Sequence, residues 1–378
     1  MRVLHIYKDY YPPVMGGIEG HLNLLANGLK NAGVDVEVLT SNTITKLERE
    51  NINGIPITKV PQLGRFNSAP LNLTLPYWIR TLGEKADIMH FHFPNPSAEL
   101  SYLCSGLMSN VVVTYHSDIV RQKMTRMLLA PFSKKFLTCA HTIIVTSANY
   151  QRSSKMLQKF TRKCKIIPHG IDLGEFTASP ETDQQAAIVR RKYGRPIVLF
   201  VGKFRYYKGL HILIEAAEKL DCKVLLIGSG PLEPALRMQV ESSHLGPKVK
   251  FMGEVSDAEK LVFLHACDVF ILPSIFRSEA FGIAQLEAMS CGKPVISTEL
   301  FTGTSFVNQH QKTGLVIAPN DVEALIGAVK ALVNNPEQRE KYGHASLERA
   351  SKVFSKERMI AGILKVYQEV LELPDRKC

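Results

Sequence analysis

Two glutamates, Glu279 and Glu287, lie eight residues apart in a segment otherwise rich in small residues. The apolar run at 269–272 predicts a buried strand, and Gly282 marks where a loop can turn into a helix. Glu279 is therefore expected on the loop at a strand's carboxyl end, and Glu287 about one turn into the next helix. Open α/β sheets bind ligands at that edge, where two carboxylates can accept hydrogen bonds from sugar hydroxyls. The alternative is a solvated helix with two unrelated acids, which the small residues disfavour.

Three cations follow another predicted strand, at 197–201. Lys203, Arg205 and Lys208 lie within six residues. Such side chains and helix ends neutralise a diphosphate where no Asp-x-Asp motif holds a metal. A solvated basic loop is the alternative. Beside these cations, we interpret the glutamate pair as holding a donor molecule, and not as the general acid and base of a glycoside hydrolase.

Glycines follow several of the predicted strands and let the backbone approach a ligand closely. Gly16 and Gly17 lie between the first strand and the first helix, whose N-terminus favours an anion. Corresponding turns in the second half of the chain contain Gly228, Gly230 and Gly253. None of them forms the Gly-x-Gly-x-x-Gly fingerprint of nicotinamide cofactor binding. Each turn is a weak signal alone, and several at strand ends form a stronger one.

A histidine, His116, closes the predicted strand at 111–115. Its two ring nitrogens suit the hydroxyls of a reacting sugar, although a lone histidine is structural by default. His90 and His92 are expected to shape the same crevice. Their spacing would also allow a metal site, but no nearby cysteine or carboxylate cluster supports one, so we expect no metal.

Length and composition indicate a globular protein of two domains, because 378 residues are too many for one ordinary core. Seven cysteines without paired spacing favour reduced thiols in a cytoplasmic protein. The apolar stretch among the first residues is too short and too polar for a signal peptide. No run of apolar residues is long enough to span a membrane.

Strands alternate with helical patterns along the chain, which predicts βαβ units and parallel sheets. The polar stretch at 174–195 interrupts this order, and a second α/β series follows it. The predicted domains are 1–180 and 190–355, with the boundary near 175–190. A last helix is expected around 356–371.

The positive charge is concentrated in one segment. The net charge is +11, and the residues between Asp118 and Asp172 include eleven cations and no acid. Helical spacing there alternates bases with apolar residues: Arg121, Lys123, Arg126, Lys134 and Lys135 with Met124, Met127, Leu128, Phe132, Phe136 and Leu137. A basic amphipathic helix suits an anionic membrane surface. Nucleic acid ranks lower because no nucleic-acid motif is present, and a helix packed on the core with solvated lysines is the other alternative.

Taken together, these segments resemble the retaining glycosyltransferases of glycosyltransferase family 4. The resemblance spans nearly the whole chain, and the block from Glu279 to Glu287 is highly specific for that family. It implies the GT-B fold, in which two Rossmann-like domains face a central cleft and the last helix, within 356–378, crosses back to the first domain. It also implies sugar transfer from a nucleotide diphosphate donor with retention of configuration and without a metal.

The resemblance assigns roles in the second domain, which would bind the nucleotide sugar. Glu287 would hold the ribose hydroxyls, and Glu279 the hydroxyls of the donor sugar. Backbone N–H groups of Phe281 and Gly282 would meet the sugar or phosphate, while Lys208 would neutralise the leaving diphosphate.

In the first domain, which would bind the acceptor, the resemblance implies that Gly16 and Gly17 close on the diphosphate. His116 would contact the donor sugar near the developing charge. The leaving phosphate would accept the acceptor's proton, so that no protein nucleophile is required. Lys203 stands where the family commonly has arginine, and Arg205 is the candidate replacement for the lost bidentate fork.

Two stretches, 204–210 and 279–296, look like bacterial mannosyl- and rhamnosyl-type transferases of O-antigen or exopolysaccharide assembly. GDP-mannose is the first expected donor, with UDP-N-acetylglucosamine and UDP-galactose left open. A polyprenyl-diphosphate-linked oligosaccharide as acceptor would explain the acid-free segment, and would place the protein at the inner face of the cell membrane. A small soluble acceptor and a non-catalytic sugar-nucleotide-binding protein are the alternatives.

Overall fold

A computed structural model describes residues 1–12, 16–66, 69–118 and 123–373, without the side chains of Phe66 and residues 123–128. The chain forms two compact units, the first from Met1 to Gly170 together with the segment from Lys356, and the second from Ile171 to Ser355.

The first unit is built on one mostly parallel sheet. The strands of this unit are β1 (Arg2–Ile6), β2 (Asp35–Ser41), β3 (Glu48–Ile52), β4 (Ile55–Val60), β5 (Arg65–Phe66), β6 (Ala69–Pro70), β7 (Ile88–Phe93), β8 (Val111–Tyr115), β9 (Thr142–Val145) and β10 (Cys164–Ile166). Its helices before residue 170 are α1 (Gly17–Asn31), α2 (Leu75–Gly83), α3 (Pro96–Ser105), α4 (Lys123–Cys139), α5 (Ala148–Ser153) and a 3-10 helix at Leu157–Lys163.

The strand order of this sheet is β10-β9-β8-β7-β1-β2-β4-β3, and β5 pairs with β6 separately. All neighbours in the large sheet are parallel except the edge pair of β3 and β4. The central strands are apolar runs because helices cover both faces of such a sheet. The order changes direction between β1 and β7, which makes that position the topological switch point.

The second unit repeats the design with a sheet that is parallel throughout. Its strands are β11 (Ile197–Val201), β12 (Lys223–Ile227), β13 (Val249–Gly253), β14 (Val269–Leu272), β15 (Val295–Thr298) and β16 (Gly314–Ile317). Its helices are α6 (Pro180–Tyr193), α7 (Leu210–Ala217), α8 (Glu233–Ser242), α9 (Asp257–Ala266), α10 (Ile283–Ser290), α11 (Thr304–Val307), α12 (Val322–Val333) and α13 (Pro336–Phe354), with 3-10 helices at Leu173–Phe176 and Tyr206–Lys208. The strand order is β13-β12-β11-β14-β15-β16, with the switch point between β11 and β14.

The division between the units lies earlier in the chain than the polar composition predicts. The stretch after Gly174 forms α6, which belongs to the second unit. Ser179 caps this helix, Ala186 is fully buried, and the Arg190 guanidinium donates to the carbonyl oxygen of His265 at 2.6 Å. One buried face is therefore enough to attach a helix whose other residues are mostly polar.

The last helix, α14 (Lys356–Leu371), returns to the first unit and packs on α1. Ile360, Ile363 and Tyr367 are on its buried face. The approach is close at Gly28 of α1, where an added Cβ would lie 2.5 Å from Ile360 Cδ1. The expectation that the last helix crosses back to the first domain is confirmed.

Helix α4 is only partly accounted for by the predicted membrane-facing pattern. Arg121 lies outside the described residues, as do the side chains of Lys123 and Arg126. Lys134 and Lys135 are exposed, as the pattern predicts. The apolar residues Phe136 and Leu137, however, are fully buried, and the Phe136 ring packs on Phe91 and Tyr102. The inner face of this part of α4 is therefore core, while Phe132 is 48% exposed.

Among the described residues, no helix is both long and apolar enough to cross a membrane. Five cysteines are free thiols: Cys104, Cys164, Cys222, Cys267 and Cys291. Cys139 is disulfide-bonded, so the expectation of reduced thiols throughout the chain is wrong at that position.

Two helical glycines of the second unit provide a test of its packing. An added Cβ at Gly343 in α13 would lie 2.3 Å from the carbonyl oxygen of Gly292, whereas at Gly327 in α12 it would meet nothing within 4 Å. We expect Gly343→Ala to lower the free energy of unfolding by about 1–3 kcal/mol through overpacking. Gly327→Ala should raise it by up to about 1 kcal/mol, because alanine favours helix. Urea unfolding of both variants measures the difference, and equal stabilities would contradict this description of α13.

Candidate functional site

The polar contact at the switch point of the second unit joins Lys208 to Glu279. Lys208 ends the 3-10 helix after β11, and Glu279 lies on the loop after β14. Lys208 Nζ is 2.6 Å from Glu279 Oε2, and the two side chains are only 10% and 9% exposed. Burial is the largest single influence on the pKa of Lys208 and lowers it, but the charge and hydrogen bond of Glu279, together with Tyr207, outweigh burial, and the pKa is raised. The structure therefore brings together two residues that the sequence predicts for one site.

Side-chain hydroxyls hold the loop that carries Glu279. The hydroxyl of Ser274 donates to Glu279 Oε2 at 2.9 Å, and that of Thr302 donates to the Glu279 carbonyl oxygen at 2.8 Å. Thr298 donates to the carbonyl oxygen of Ser274. These three residues were not predicted from the sequence. Only Ser274 has a local signal in the sequence, which is its position just after a buried strand. The two threonines have none, because they come from distant parts of the chain.

Glu287 is the fifth residue of α10 and is also paired. Lys260 Nζ on α9 lies 3.2 Å from Glu287 Oε1 and 2.9 Å from Asp257 Oδ1. Burial raises the pKa of Glu287, and the charge of Lys260 opposes that shift. Glu287 is therefore not a solvated surface acid. Lys260 was not predicted from the sequence, because no local pattern distinguishes it from other lysines.

The glycines after β11 and β12 permit close contact between two loops of the same unit. Gly228 has a φ of +123°, and an added Cβ would lie 2.2 Å from the Gly202 carbonyl oxygen. Gly230 approaches the backbone of Phe204 in the same way, and Gly253 ends β13. These contacts give the first two glycines a structural reason beyond the ligand approach that the sequence indicates.

The remaining residues predicted for this unit are placed around the switch point. Lys203 and Arg205 are exposed on the loop after β11. Gly282 is the N-cap of α10 in the left-handed conformation (φ +79°). Phe281 packs its ring on Phe354 at a centroid distance of 5.9 Å.

In the first unit, the predicted anion site at the start of α1 already contains an acid. Gly16 is the N-cap and Gly17 the first residue of α1. An added Cβ at Gly16 would lie 2.3 Å from Oε2 of Glu19, whose side chain is buried in the first helical turn. A carboxylate at this position interacts favourably with the helix dipole. Residues 13–15 of the same loop lie outside the described part.

His116 belongs to a set of six buried histidines, which we call the histidine cluster: His5, His21, His90, His92, His116 and His169. His116 follows β8 and is 3% exposed. Its Nε2 lies 3.0 Å from His92 Nδ1, and His92 Nε2 lies 3.1 Å from His5 Nδ1. Three members are predicted from the sequence, and three are not: His5, His21 and His169. A signal existed at His5, because a histidine inside an apolar strand requires a partner.

The other members complete the cluster from neighbouring elements. His169 Nδ1 lies 3.1 Å from His21 Nδ1 on α1. Nδ1 and Nε2 of His90 lie 2.6 Å from the Tyr367 hydroxyl and 2.7 Å from the Thr114 hydroxyl. Ring nitrogens of His5, His90 and His92 lie within 4.8 Å of one another, a grouping that could hold a metal ion.

Burial lowers the pKa of every histidine in the cluster. The pKa of His5 falls to about 3 and that of His21 to about 4. The pKa values of the other four are also lowered from the ordinary 6.5, with burial as the largest cause. The rings are therefore neutral at pH 7.

This cluster predicts that acid destabilises the first unit. Below pH 6.5 the unfolded chain binds protons that the folded histidines do not. The free energy of unfolding therefore decreases as the pH is lowered, by up to about 1.4 kcal/mol per histidine per pH unit. Glu99, whose pKa burial raises to about 7, acts in the opposite direction as one group against six. Denaturant unfolding at pH 7.5, 6.5 and 5.5, followed on the first unit by hydrogen exchange, measures this loss. A constant stability from pH 7.5 to 5.5 would contradict neutral burial.

Comparison with known proteins places this geometry in a family. The model of "Glycosyltransferase Family 4" matches residues 15–175, and that of "Glycosyl transferases group 1" matches residues 181–349. The chain is 37% identical to the O-antigen chain mannosyltransferase C of Escherichia coli, over 98% of this chain and 99% of that one. It is 36% identical to the D-rhamnosyltransferase WbpZ of Pseudomonas aeruginosa, over 94% and 92% of the two chains.

Solved structures show the same fold. Sucrose-phosphate synthase from Thermosynechococcus elongatus matches with a TM-score of 0.80 at 22% identity, over 98% of both chains. HepE from Anabaena, in complex with UDP and glucose, matches with a TM-score of 0.77 at 19% identity, over 98% of this chain and all of that one. The GT-B prediction is thereby confirmed. The chain belongs to glycosyltransferase family 4 and is a glycosyltransferase.

Proposed function

We propose that this enzyme is a retaining, metal-independent hexosyltransferase that takes mannose from GDP-mannose and adds it to a lipid-linked oligosaccharide of O-antigen. The names of two relatives with more than one third identity, a mannosyltransferase and a D-rhamnosyltransferase, support a sugar of the mannose series. A UDP-sugar as donor is the alternative, because HepE, which has the same fold, was crystallised in complex with UDP and glucose.

The contact between Lys208 and Glu279 carries the proposal. Open α/β sheets bind ligands at their switch points, and this contact lies at the switch point of the second unit. Both Lys208 Nζ and the Ser274 hydroxyl use Oε2 of Glu279, so Oε1 can accept from a hydroxyl of the donor sugar. Lys208 then supplies positive charge next to the leaving diphosphate.

The other predicted residues take roles around this contact. Glu287, oriented by Lys260, accepts from the ribose hydroxyls of the nucleotide. Lys203 and Arg205 bind phosphate oxygens from the exposed loop. Backbone groups of five residues meet the nucleotide, sugar or phosphate: Gly228, Gly230, Gly253, Phe281 and Gly282. In the first unit, Gly16 and Gly17 bind the diphosphate, and His116 contacts the donor sugar.

The reaction then proceeds by attack on the face from which the leaving group departs. The bond between the anomeric carbon and the diphosphate breaks, and the acceptor hydroxyl oxygen forms the new bond to that carbon. The acceptor's proton goes to the leaving diphosphate. The protein contributes positioning and charge stabilisation of an oxocarbenium-like state. Three lysine and arginine side chains after β11 provide the neutralisation that a metal ion supplies elsewhere.

The acceptor side is proposed from the basic segment. Exposed Lys134 and Lys135, with Arg121, Lys123 and Arg126, would contact anionic lipid at the inner face of the cell membrane. A polyprenyl diphosphate would bring the oligosaccharide to the same surface. A transferase for a small soluble acceptor is the alternative, and it needs no such contact.

Mutation of the central lysine tests the site. We expect Lys208→Met to reduce mannose transfer from GDP-mannose at least about 100-fold, because a preorganised charge at the leaving group is lost. It should also lower the free energy of unfolding by about 3–5 kcal/mol, since Glu279 is left buried and unpaired. Lys219→Met is the matched control, because the pair of Lys219 with Glu323 is exposed in the same unit.

Steady-state transfer from GDP-mannose and from UDP-sugars, each with and without a chelator, measures these effects. Full turnover of Lys208→Met would refute the site. Transfer from UDP-sugars alone would refute the donor, and loss of activity with the chelator would refute metal independence.

Vesicle flotation tests the membrane contact. We expect binding to vesicles that contain anionic lipid, and a loss of binding when Lys134 and Lys135 are both changed to glutamate, because each basic residue near such a surface contributes about 1 kcal/mol. Lys330 and Lys341, exposed in the second unit, provide a control with the same change of charge. An equal loss of vesicle binding in both double variants would mean that only the net charge of the protein matters. Absence of vesicle binding by the unmodified protein would favour a soluble acceptor.

A further inference from the structure

Three rings of the histidine cluster form a continuous chain of hydrogen bonds. His5 lies on β1, His92 on β7 and His116 just after β8. The chain runs from His5 Nδ1 to His92 Nε2 at 3.1 Å, and from His92 Nδ1 to His116 Nε2 at 3.0 Å. Its end atoms, His5 Nε2 and His116 Nδ1, are buried and have no hydrogen-bond partner within the described part of the chain.

The chemistry of imidazole allows these three hydrogen-bonded rings only two arrangements of their protons. A neutral ring has one N–H donor and one lone pair, and the tautomer is set by the bond that the other nitrogen makes. If His5 donates to His92, then His92 donates to His116, and His116 must have its proton on Nδ1. If the direction is reversed, His116 has its proton on Nε2 and His5 is left with an unbonded N–H.

The two arrangements differ in which group is left unbonded at the inner end. His5 lies within a central strand and is 0% exposed. A buried N–H without a partner is rarer in proteins than an under-used acceptor. The first arrangement leaves only a lone pair at His5 and places the unbonded donor on His116, just after the carboxyl end of β8. Open α/β sheets bind ligands at that edge.

We propose that His5 and His92 are positioning residues that hold His116 in its Nδ1–H tautomer, so that His116 offers a hydrogen-bond donor to an oxygen of the substrate. The proposal rests on the proposed function only in that His116 contacts the substrate there. A sugar hydroxyl oxygen or ring oxygen is the matching chemistry.

A metal ion at His5, His90 and His92 is the competing interpretation. Both nitrogens of His90 are already bonded, to Tyr367 and Thr114, and both nitrogens of His92 face other histidines. A metal ion would have to break these bonds. Metal-bound histidines also usually donate to a carboxylate or carbonyl oxygen, whereas the ring contacts here are to hydroxyls and other rings.

Nitrogen NMR of the histidine rings tests the tautomer without any substrate. In protein with ¹⁵N-labelled histidine, the His116 signals are identified by their absence in His116→Gln. We expect the proton of His116 on Nδ1 in the unmodified protein, and a mixture or a change to Nε2 in His92→Phe. A proton on Nε2 in the unmodified protein would overturn the proposal.

Transfer kinetics test the consequence. We expect His92→Phe to lower kcat by about tenfold, the order of one lost hydrogen bond, with the donor KM changed less than about threefold. His92→Asn keeps an amide donor near the position of Nδ1 and should recover part of kcat. His141→Phe, at a buried histidine of the same unit outside the chain, controls for loss of stability. Equal losses of kcat in His92→Phe and His141→Phe would overturn the positioning role.

The outcomes separate this proposal from the proposed function. Bound zinc in the purified protein, one per chain and lost in His5→Phe, would overturn the tautomer proposal in favour of a metal site. An Nδ1–H tautomer in the unmodified protein, together with unchanged transfer by His116→Gln, would support the hydrogen-bonded arrangement of the three rings but refute the substrate contact at His116.

Discussion

The reversal of strand order about the first strand of each sheet is the constraint on which the site depends. It places the loops after β11 and β14 next to each other, and so brings Lys208 to Glu279 although 70 residues of sequence separate them. In the first unit the same reversal makes β1 and β7 neighbours, which brings His5 to His92. In both units a polar contact crosses the switch point, where the sheet cannot cover the carboxyl ends of its strands.

The contacts at the two switch points deal with buried polar groups in different ways. The second unit keeps charges and pairs them, as with Lys208 and Glu279, at a desolvation cost that only good geometry repays. The first unit buries six rings in the neutral form, which requires no counter-charge but assigns each ring nitrogen a fixed role as donor or acceptor.

Local pattern was sufficient for most of the fold and for part of the site. The apolar runs predicted the central strands, and the rule on carboxyl ends placed Glu279 and Lys208 at one edge. The polar edge strand β3 was missed because its residues face solvent and lack an apolar run. Lys260 and the threonines behind Glu279 were missed because their contacts depend on packing between distant segments. Glu19 was missed because an acid in the first turn of a helix is common and indicates nothing specific.

The return of α14 to the first unit has a consequence for synthesis of the chain. The second unit is contiguous from Ile171 to Ser355 and can fold as soon as it has left the ribosome, as domains generally do. The first unit is translated earlier but lacks α14, and with it the Tyr367 hydroxyl that bonds His90, until the segment after Ser355 has been translated. Of the two units, the one whose synthesis begins first is therefore the one that is completed second.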